Sequence, residues 1–172
     1  MARARISLYN KASLQWSKTI KSSQRGIDLI KSSEGLKLKA YLCPAGIWTI
    51  GYGFTKGVRA GMTITEEQAT QRLMNEICTR EKELNEILDR NHVVVNQNQF
   101  DALMDWCYNF SPYRLEHGGS GHGPTGILTR LMKKDYQGAA KELLRWNKCG
   151  GVSSDGLTTR RKKEYDLFVE GL

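Results

Sequence analysis

Residues 34–53 read EGLKLKAYLCPAGIWTIGYG. Glu34 closes a helical pattern over residues 23–33, where Ile27, Leu29 and Ile30 make a short apolar face. Gly35 follows at once and suits a left-handed helix cap. The residues then turn aromatic and β-branched: Tyr41, Ile47, Trp48, Thr49, Ile50, Tyr52 and Phe54. Pro44, Ala45 and Gly46 interrupt them as turn residues. Gly51 and Gly53 alternate with bulky neighbours, which predicts close backbone approach. The stretch therefore sets a carboxylate at a helix end against a small twisted sheet.

Working outward, the rest of the chain reads as helices. Thr65 opens a long one: TEEQ is a capping box, and Glu66 and Glu67 favour the positive end of the helix dipole. Ala69, Leu73, Ile77, Leu84 and Leu88 carry an apolar stripe to Asp89, so the helix is about 25 residues and about 40 Å long. Asn96 caps the next helix, which carries Phe100, Leu103, Met104, Trp106, Cys107, Tyr108 and Phe110. HGGSGHGPTG (117–126) reads as a glycine-rich loop before a helix over 125–134. Asp135 caps a helix through Trp146, CGGVSSDG (149–156) reads as a loop, and residues 157–169 form a terminal helix. The expectation is an α+β fold: a sheet lobe over about 36–62, a helical lobe over about 65–172, and a cleft between them. Residues 1–22 read as a basic extension ahead of a domain at 23–172.

Charge is unevenly placed. The formal net charge is +8, yet residues 1–26 hold six Lys or Arg and no acid, which leaves the body near neutrality. A cationic arm suits an anionic polymer or an anionic membrane face. No helix-turn-helix, zinc-finger or RNA-binding signature accompanies it, so nucleic acid is not the expected partner. No run approaches the about 20 apolar residues of a membrane span, and the N-terminus lacks the apolar core of a secretory signal. These features predict a chain made in the cytoplasm, and a monomer. The four cysteines, Cys43, Cys78, Cys107 and Cys149, form no CxxC and no zinc spacing. Cys78 and Cys107 fall in helical patterns and are expected as buried small hydrophobes. His117 and His122 flank GGSG without a third ligand, so no metal and no cofactor is expected.

Three residues of the opening stretch can do chemistry together. Glu34 faces the negative end of a helix dipole, which disfavours its ionised form, and a water-poor cleft acts in the same direction. A raised pKa is what a general acid needs near neutral pH. Cys43, nine positions on, can assist a water, act as a base once ionised, or attack carbon. Thr49, six further on, can hold a water. Each alone reads as ordinary, Glu34 as a surface acid, Cys43 as a small hydrophobe and Thr49 as a strand residue. Together they fit an acid facing a water holder, the arrangement inverting glycosidases use.

On these residues the chain resembles the phage-type lysozymes, the muramidase endolysins of glycoside hydrolase family twenty-four. Glu34, Cys43 and Thr49 match the family's Glu, Asp-or-Cys and Thr signature. TIGYG at 49–53, GMTIT at 61–65, NQNQFDAL at 96–103, AAKELLRWNKCGG at 139–151 and GLTTRR at 156–161 match as well, in order, across about residues 24–170. The resemblance implies a lysozyme-like fold and hydrolysis of bacterial peptidoglycan at the β-1,4 bond between N-acetylmuramic acid and N-acetylglucosamine, for host lysis and phage release. It implies Glu34 as proton donor, with Thr49 and Cys43 positioning water. It implies a stay in the host cytoplasm until a pore-forming partner gives access to the wall. Cys43 stands where the commoner residue is aspartate, which opens both a water-assisting and a covalent role. Trp48 and Tyr52 are candidates to stack on sugars, with core packing as the alternative. Arg160 and Arg161 are candidates to keep the site electropositive or to bind wall carboxylates, with at least one of them expected on a solvated face beside Lys162 and Lys163.

Overall fold

The computed structural model describes residues 19–43, 45–119, 123–170 and 172. Helix α1 (Gln24–Glu34) starts where the Ser23 hydroxyl accepts from the Gly26 amide, and it ends at Gly35, whose φ is 68°. β1 (Lys37–Leu42) and β2 (Trp48–Gly51) pair antiparallel, Tyr41 opposite Thr49 and Leu42 opposite Trp48, with a register shift between Lys37 and Tyr41. The chain returns along the other side of β1: the Ala40 amide bonds to the Met62 carbonyl at 2.9 Å and the Ile64 amide to the Leu38 carbonyl at 2.9 Å.

Helix α2 (Glu66–Arg90) has the expected capping box between Thr65 and Gln68 and buries Ala69, Leu73, Ile77, Leu84, Ile87 and Leu88 along one stripe. Helix α3 (Gln97–Phe110), capped by an Asn96–Gln99 box, is buried on every side from Gln99 to Tyr108. A helix enclosed all round must be apolar or must partner its polar groups. α3 does both, because its run contains Asp101 and Asp105. Asp101 receives the Ser23 amide at 2.9 Å and the Gln97 side-chain amide at 3.0 Å, which ties α1 to α3. α1 can come this close because residue 26 is glycine: a Cβ there would lie 2.6 Å from the Asp101 carboxylate.

Helices α4 (Pro112–His117), α5 (Gly126–Met132), α6 (Tyr136–Leu144) and α7 (Asp155–Val169) complete the body, with a short hairpin of β3 (Lys148–Cys149) and β4 (Val152–Ser153) before α7. Trp106, Phe110 and Trp146 form an aromatic cluster with ring centres 5.0–5.2 Å apart, in which Trp146 meets both other rings edge-on.

Several elements differ from the sequence reading. α4 falls in a stretch given no helix, although Ser111–Pro112 is a sound helix start: the Ser111 hydroxyl accepts from the Arg114 amide and proline occupies the first turn. The hairpin at 148–153 replaces a plain loop; Gly150 and Gly151, both with positive φ, supply the two-residue turn such a hairpin needs. Residues 20–22, assigned to the basic extension, are bound to the body. Ile20 exchanges hydrogen bonds with Asn85, the Ser22 amide donates to Glu81, and Gln97 donates to the Lys21 carbonyl. Cys78 is exposed on α2, whereas Cys107 is buried as expected. The rest of the basic extension, from residue 1 to 18, lies outside the described residues, as does His122. His117 stacks on Tyr113 with ring centres 4.0 Å apart.

Candidate active site

Glu34 occupies the last turn of α1, and its side chain is 19% exposed. One oxygen, Oε1, accepts from Arg160 Nη1 at 2.8 Å. The other, Oε2, lies beside Gly53, where an added Cβ would sit 3.4 Å away. Gly53 has φ 91°, a conformation glycine takes freely and other residues rarely do. The Ile50–Phe54 turn thus brings bare backbone up to the carboxyl from the sheet side. Burial raises the Glu34 pKa above the ordinary glutamate value; Arg160 opposes the rise by charge and hydrogen bond, and the nearby Asp105 charge adds to it.

Behind Glu34 stands a buried ionic cluster between α3 and α7. Arg160 gives Nε to Asp105 Oδ2 at 2.8 Å, and Nη2 to Asp105 Oδ1 at 3.0 Å and to its carbonyl at 3.0 Å. This two-pronged grip fixes the guanidinium plane and leaves Nη1 aimed at Glu34. Arg161 donates Nη2 to Glu164 Oε1 at 2.6 Å and to Asn109 Oδ1 at 3.3 Å, and lies over the Phe110 ring at 5.1 Å. Asp105, Arg161 and Glu164 are wholly buried.

In the sheet lobe, Cys43 follows the end of β1 and Thr49 lies on β2 opposite Tyr41. The Cys43 amide donates to the Ile47 carbonyl at 3.0 Å and the Gly46 amide donates to the Cys43 carbonyl at 2.8 Å, which closes a tight turn. The Cys43 thiol is held below its ordinary pKa first by the backbone amide of Ile47, then by that of Ala45, and also by the Thr49 hydroxyl, against a smaller burial effect. Thr49 is buried, and its hydroxyl donates to the Ile47 carbonyl at 3.0 Å. A hydroxyl has one proton, so Thr49 serves either that carbonyl or the sulfur as thiolate. Among the described residues no hydrogen bond joins Glu34 to Cys43 or Thr49.

Of the residues nominated for sugar binding, Trp48 is half-buried at the start of β2. Tyr52 is 4% exposed, so its ring packs in the core and offers no face to a sugar. Arg161 is fully buried and unavailable to substrate, and Arg160 spends its donors on Asp105 and Glu34. Neither lies on a solvated face. Their i,i+3 and i,i+4 spacing to Glu164, which on a surface helix marks solvated pairs, here marks internal ones. Asp105 and Glu164 were not nominated. An aspartate in the middle of an otherwise apolar helix was the available signal, since a buried charge must be paired. Arg160 also lines a groove of about 540 Å³ between the end of α1 and the start of α7, bounded by Ser33, Ser154 and Lys163.

A sheet of two short strands against a helical body, with a largely buried carboxyl at the end of α1 beside Gly53, is the arrangement of an α+β protein of the lysozyme kind. The comparisons agree. The profile of the family described as Phage lysozyme matches residues 31–164. An endolysin of Acyrthosiphon pisum secondary endosymbiont phage 1 is 37% identical over 150 residues, spanning 85% of this chain and 96% of that one. Among solved structures, the endolysin from Escherichia coli O157:H7 phage FAHEc1 superposes with a TM-score of 0.73 at 34% identity, covering 89% of this chain and 96% of that one. The muramidase domain of SpmX from Asticaccaulis excentricus superposes with a TM-score of 0.73 at 32% identity, covering 87% of this chain and 97% of that one. This chain belongs to the phage lysozyme family.

Proposed function

We propose that this chain is a lysozyme that hydrolyses the β-1,4 bond between N-acetylmuramic acid and N-acetylglucosamine in bacterial peptidoglycan, with Glu34 as general acid. It is a phage peptidoglycan hydrolase that lyses the host cell, and its relatives carry the names endolysin and muramidase. The single observation that carries the residue assignment is the Glu34 carboxyl itself. It is largely buried, gripped by Arg160 on one oxygen and open toward the sheet on the other.

Glu34 gives its proton to the bridging oxygen as the bond from that oxygen to the sugar C1 breaks. Positive charge then develops on C1 and its ring oxygen. A water held by Thr49 adds to C1 from the opposite face and loses its proton to the Cys43 thiolate, whose formation the amides of Ile47 and Ala45 favour. The net change is addition of one water, with inversion at C1. Trp48, half-buried at the start of β2, is the aromatic residue we assign to sugar stacking. The enzyme acts on the wall after release from the host cytoplasm through a pore made by a partner, as a monomer, with the basic N-terminal extension holding it to an anionic membrane face. Among the described residues no helix is long and apolar enough to cross a membrane.

Digestion of purified peptidoglycan in heavy-oxygen water tests the chemistry. Muropeptides ending in muramic acid with one heavy oxygen are expected; an anhydro product without it would mean a lytic transglycosylase. Intact-mass detection of a glycosyl adduct on Cys43 would replace the water-assisting role by a nucleophilic one.

A further inference from the structure

The sheet lobe carries charge and apolar surface that the site around Glu34 does not use. From Gly35 to Thr65 there are four cations, Lys37, Lys39, Lys56 and Arg59, and no acid. All four are exposed. Residues 66–172 hold fifteen cations against sixteen acids, so the helical lobe does not share this excess. Residues 40–55 run without a single charge. So apolar a stretch belongs inside a protein. Yet of the eleven large hydrophobics exposed among the described residues, five lie in this lobe: Leu38, Tyr41, Leu42, Ile47 and Met62.

The two features are ordered along the lobe. Leu42 and Ile47, 54% and 51% exposed, meet at the closed end of the β1–β2 hairpin, where the Cys43 amide bonds to the Ile47 carbonyl. Tyr41 is one step back. Lys39 and Lys37 follow at about 10 Å and about 17 Å from Leu42, at the usual rise of a strand. The Met62 carbonyl accepts from the Ala40 amide, which puts Met62 level with Lys39, and the Arg59 amide donates to its sulfur at 3.2 Å. An apolar tip, an aromatic ring behind it and a collar of cations behind that match the layering of an element sunk about 5–10 Å into a bilayer surface. Tyrosine then sits at the headgroups, and Lys and Arg meet the anionic lipids. A free polyanion would engage the cations and leave the tip in water. A small ligand needs enclosure, and a hairpin end exposed at Leu42, Ala45, Gly46 and Ile47 offers none.

We propose that the tip of the β1–β2 hairpin is a docking surface for an anionic lipid bilayer, with Leu42 and Ile47 entering the boundary between headgroups and acyl chains, and Lys37, Lys39 and Arg59 pairing with lipid phosphates. The surface is separate from the basic N-terminal extension, and it does not depend on the chemistry assigned to Glu34.

Sedimentation of the full chain with vesicles tests this, comparing equal parts of phosphatidylcholine and phosphatidylglycerol with phosphatidylcholine alone at about 0.15 M salt. The extension is the same in every variant. L42S should lower partitioning onto the anionic vesicles by about tenfold, and L42F, which keeps the apolar surface, should restore it. K37E/K39E should lower it by about 20-fold or more, at about fivefold for each lysine lost near the surface. K82E/K133E changes the net charge equally at exposed positions of the helical lobe and should lower it by less than about threefold. Every substituted side chain is exposed, so stabilities should stay within about 0.5 kcal/mol of wild type. L42S binding as wild type does would mean that charge alone holds the protein, as for a polyanion. An equal fall in the two lysine pairs would mean that no one surface is favoured. Either result overturns the proposal. So does a fall in L42S turnover of a soluble muropeptide oligomer that matches its fall in vesicle binding, which would assign the tip to the sugar groove.

Discussion

The two walls around Glu34 are built in opposite ways. On the sheet wall the contacts are local: Cys43, Gly46, Ile47 and Thr49 bond one another within seven positions, and most of β1 is exposed. On the helical wall the contacts span the chain. Arg160 reaches 55 positions back to Asp105 and 126 back to Glu34, and every group except Glu34 is at least nine-tenths buried. A local wall can change without unfolding the protein. A wall of buried, mutually dependent charges cannot, because removing one strands the others. Glu34, the proposed proton donor, is thus held by the rigid side, and Cys43 and Thr49, the proposed water-holding pair, sit on the adaptable one.

The comparison can be broken most directly at Glu34. E34Q is expected to lower lysis of permeabilised cells by about 10³-fold, within the range for a general acid, while far-UV circular dichroism stays unchanged; wild-type turbidity loss would falsify the assignment. The same variant bears on stability. Because the folded Glu34 pKa is raised, the native state binds more protons than the unfolded chain between the ordinary glutamate value of about 4.3 and the folded value. Its contribution to stability is therefore full at lower pH and is lost as pH rises through that window. E34Q should lack this slope in denaturant titrations. Its presence there would place the linkage elsewhere.

D105N probes the rigidity of the helical wall. Asn cannot neutralise Arg160, so a loss of about 3–5 kcal/mol in unfolding free energy is expected. With the Asp105 repulsion gone and Arg160 serving Glu34 alone, the basic limb of activity should move to lower pH. Stability within about 0.5 kcal/mol of wild type would show the two walls to be alike. C43S is the sheet-wall counterpart: activity should fall by about 10²-fold, with stability moved by about 0.5 kcal/mol or less. A large drop in melting temperature would mean that this wall is not independent. The last effect, on stability alone, is expected at Gly51. A Cβ there meets the Phe54 ring at 2.6 Å at φ 65°, so G51A should cost about 1–3 kcal/mol, measured by urea unfolding.

The same contrast explains what could be read from the chain. The sheet wall and the long-helix capping box were legible because their partners lie close together in sequence. Glu34, Cys43 and Thr49 fall within 16 positions and carry a family signature. The helical wall was read only in part, for the opposite reason: Arg160 does meet Glu34, but the burial of both arginines was missed. RRKKE at 160–164 looks like a solvated basic face until α3 delivers Asp105 beneath it, and nothing within α7 signals that event. Tyr52 was misassigned because strand alternation does not say which face is covered. Its neighbours Ile50, Gly51 and Phe54 are all buried, and it goes in with them. The hairpin at Gly150–Gly151 and the start of α4 at Ser111–Pro112 were legible from turn and cap chemistry alone and went unread.

One consequence follows from the two oxygens of Glu34 having different company. Arg160 occupies Oε1 with a donor, so an acidic hydrogen there would point at a cation; it belongs on Oε2, beside Gly53. If Glu34 is the acid as proposed, the direction from which a leaving group collects that hydrogen is set by a residue with no side chain. A side chain at position 53 would put a carbon in contact with Oε2, on the side from which the proposed handover takes place.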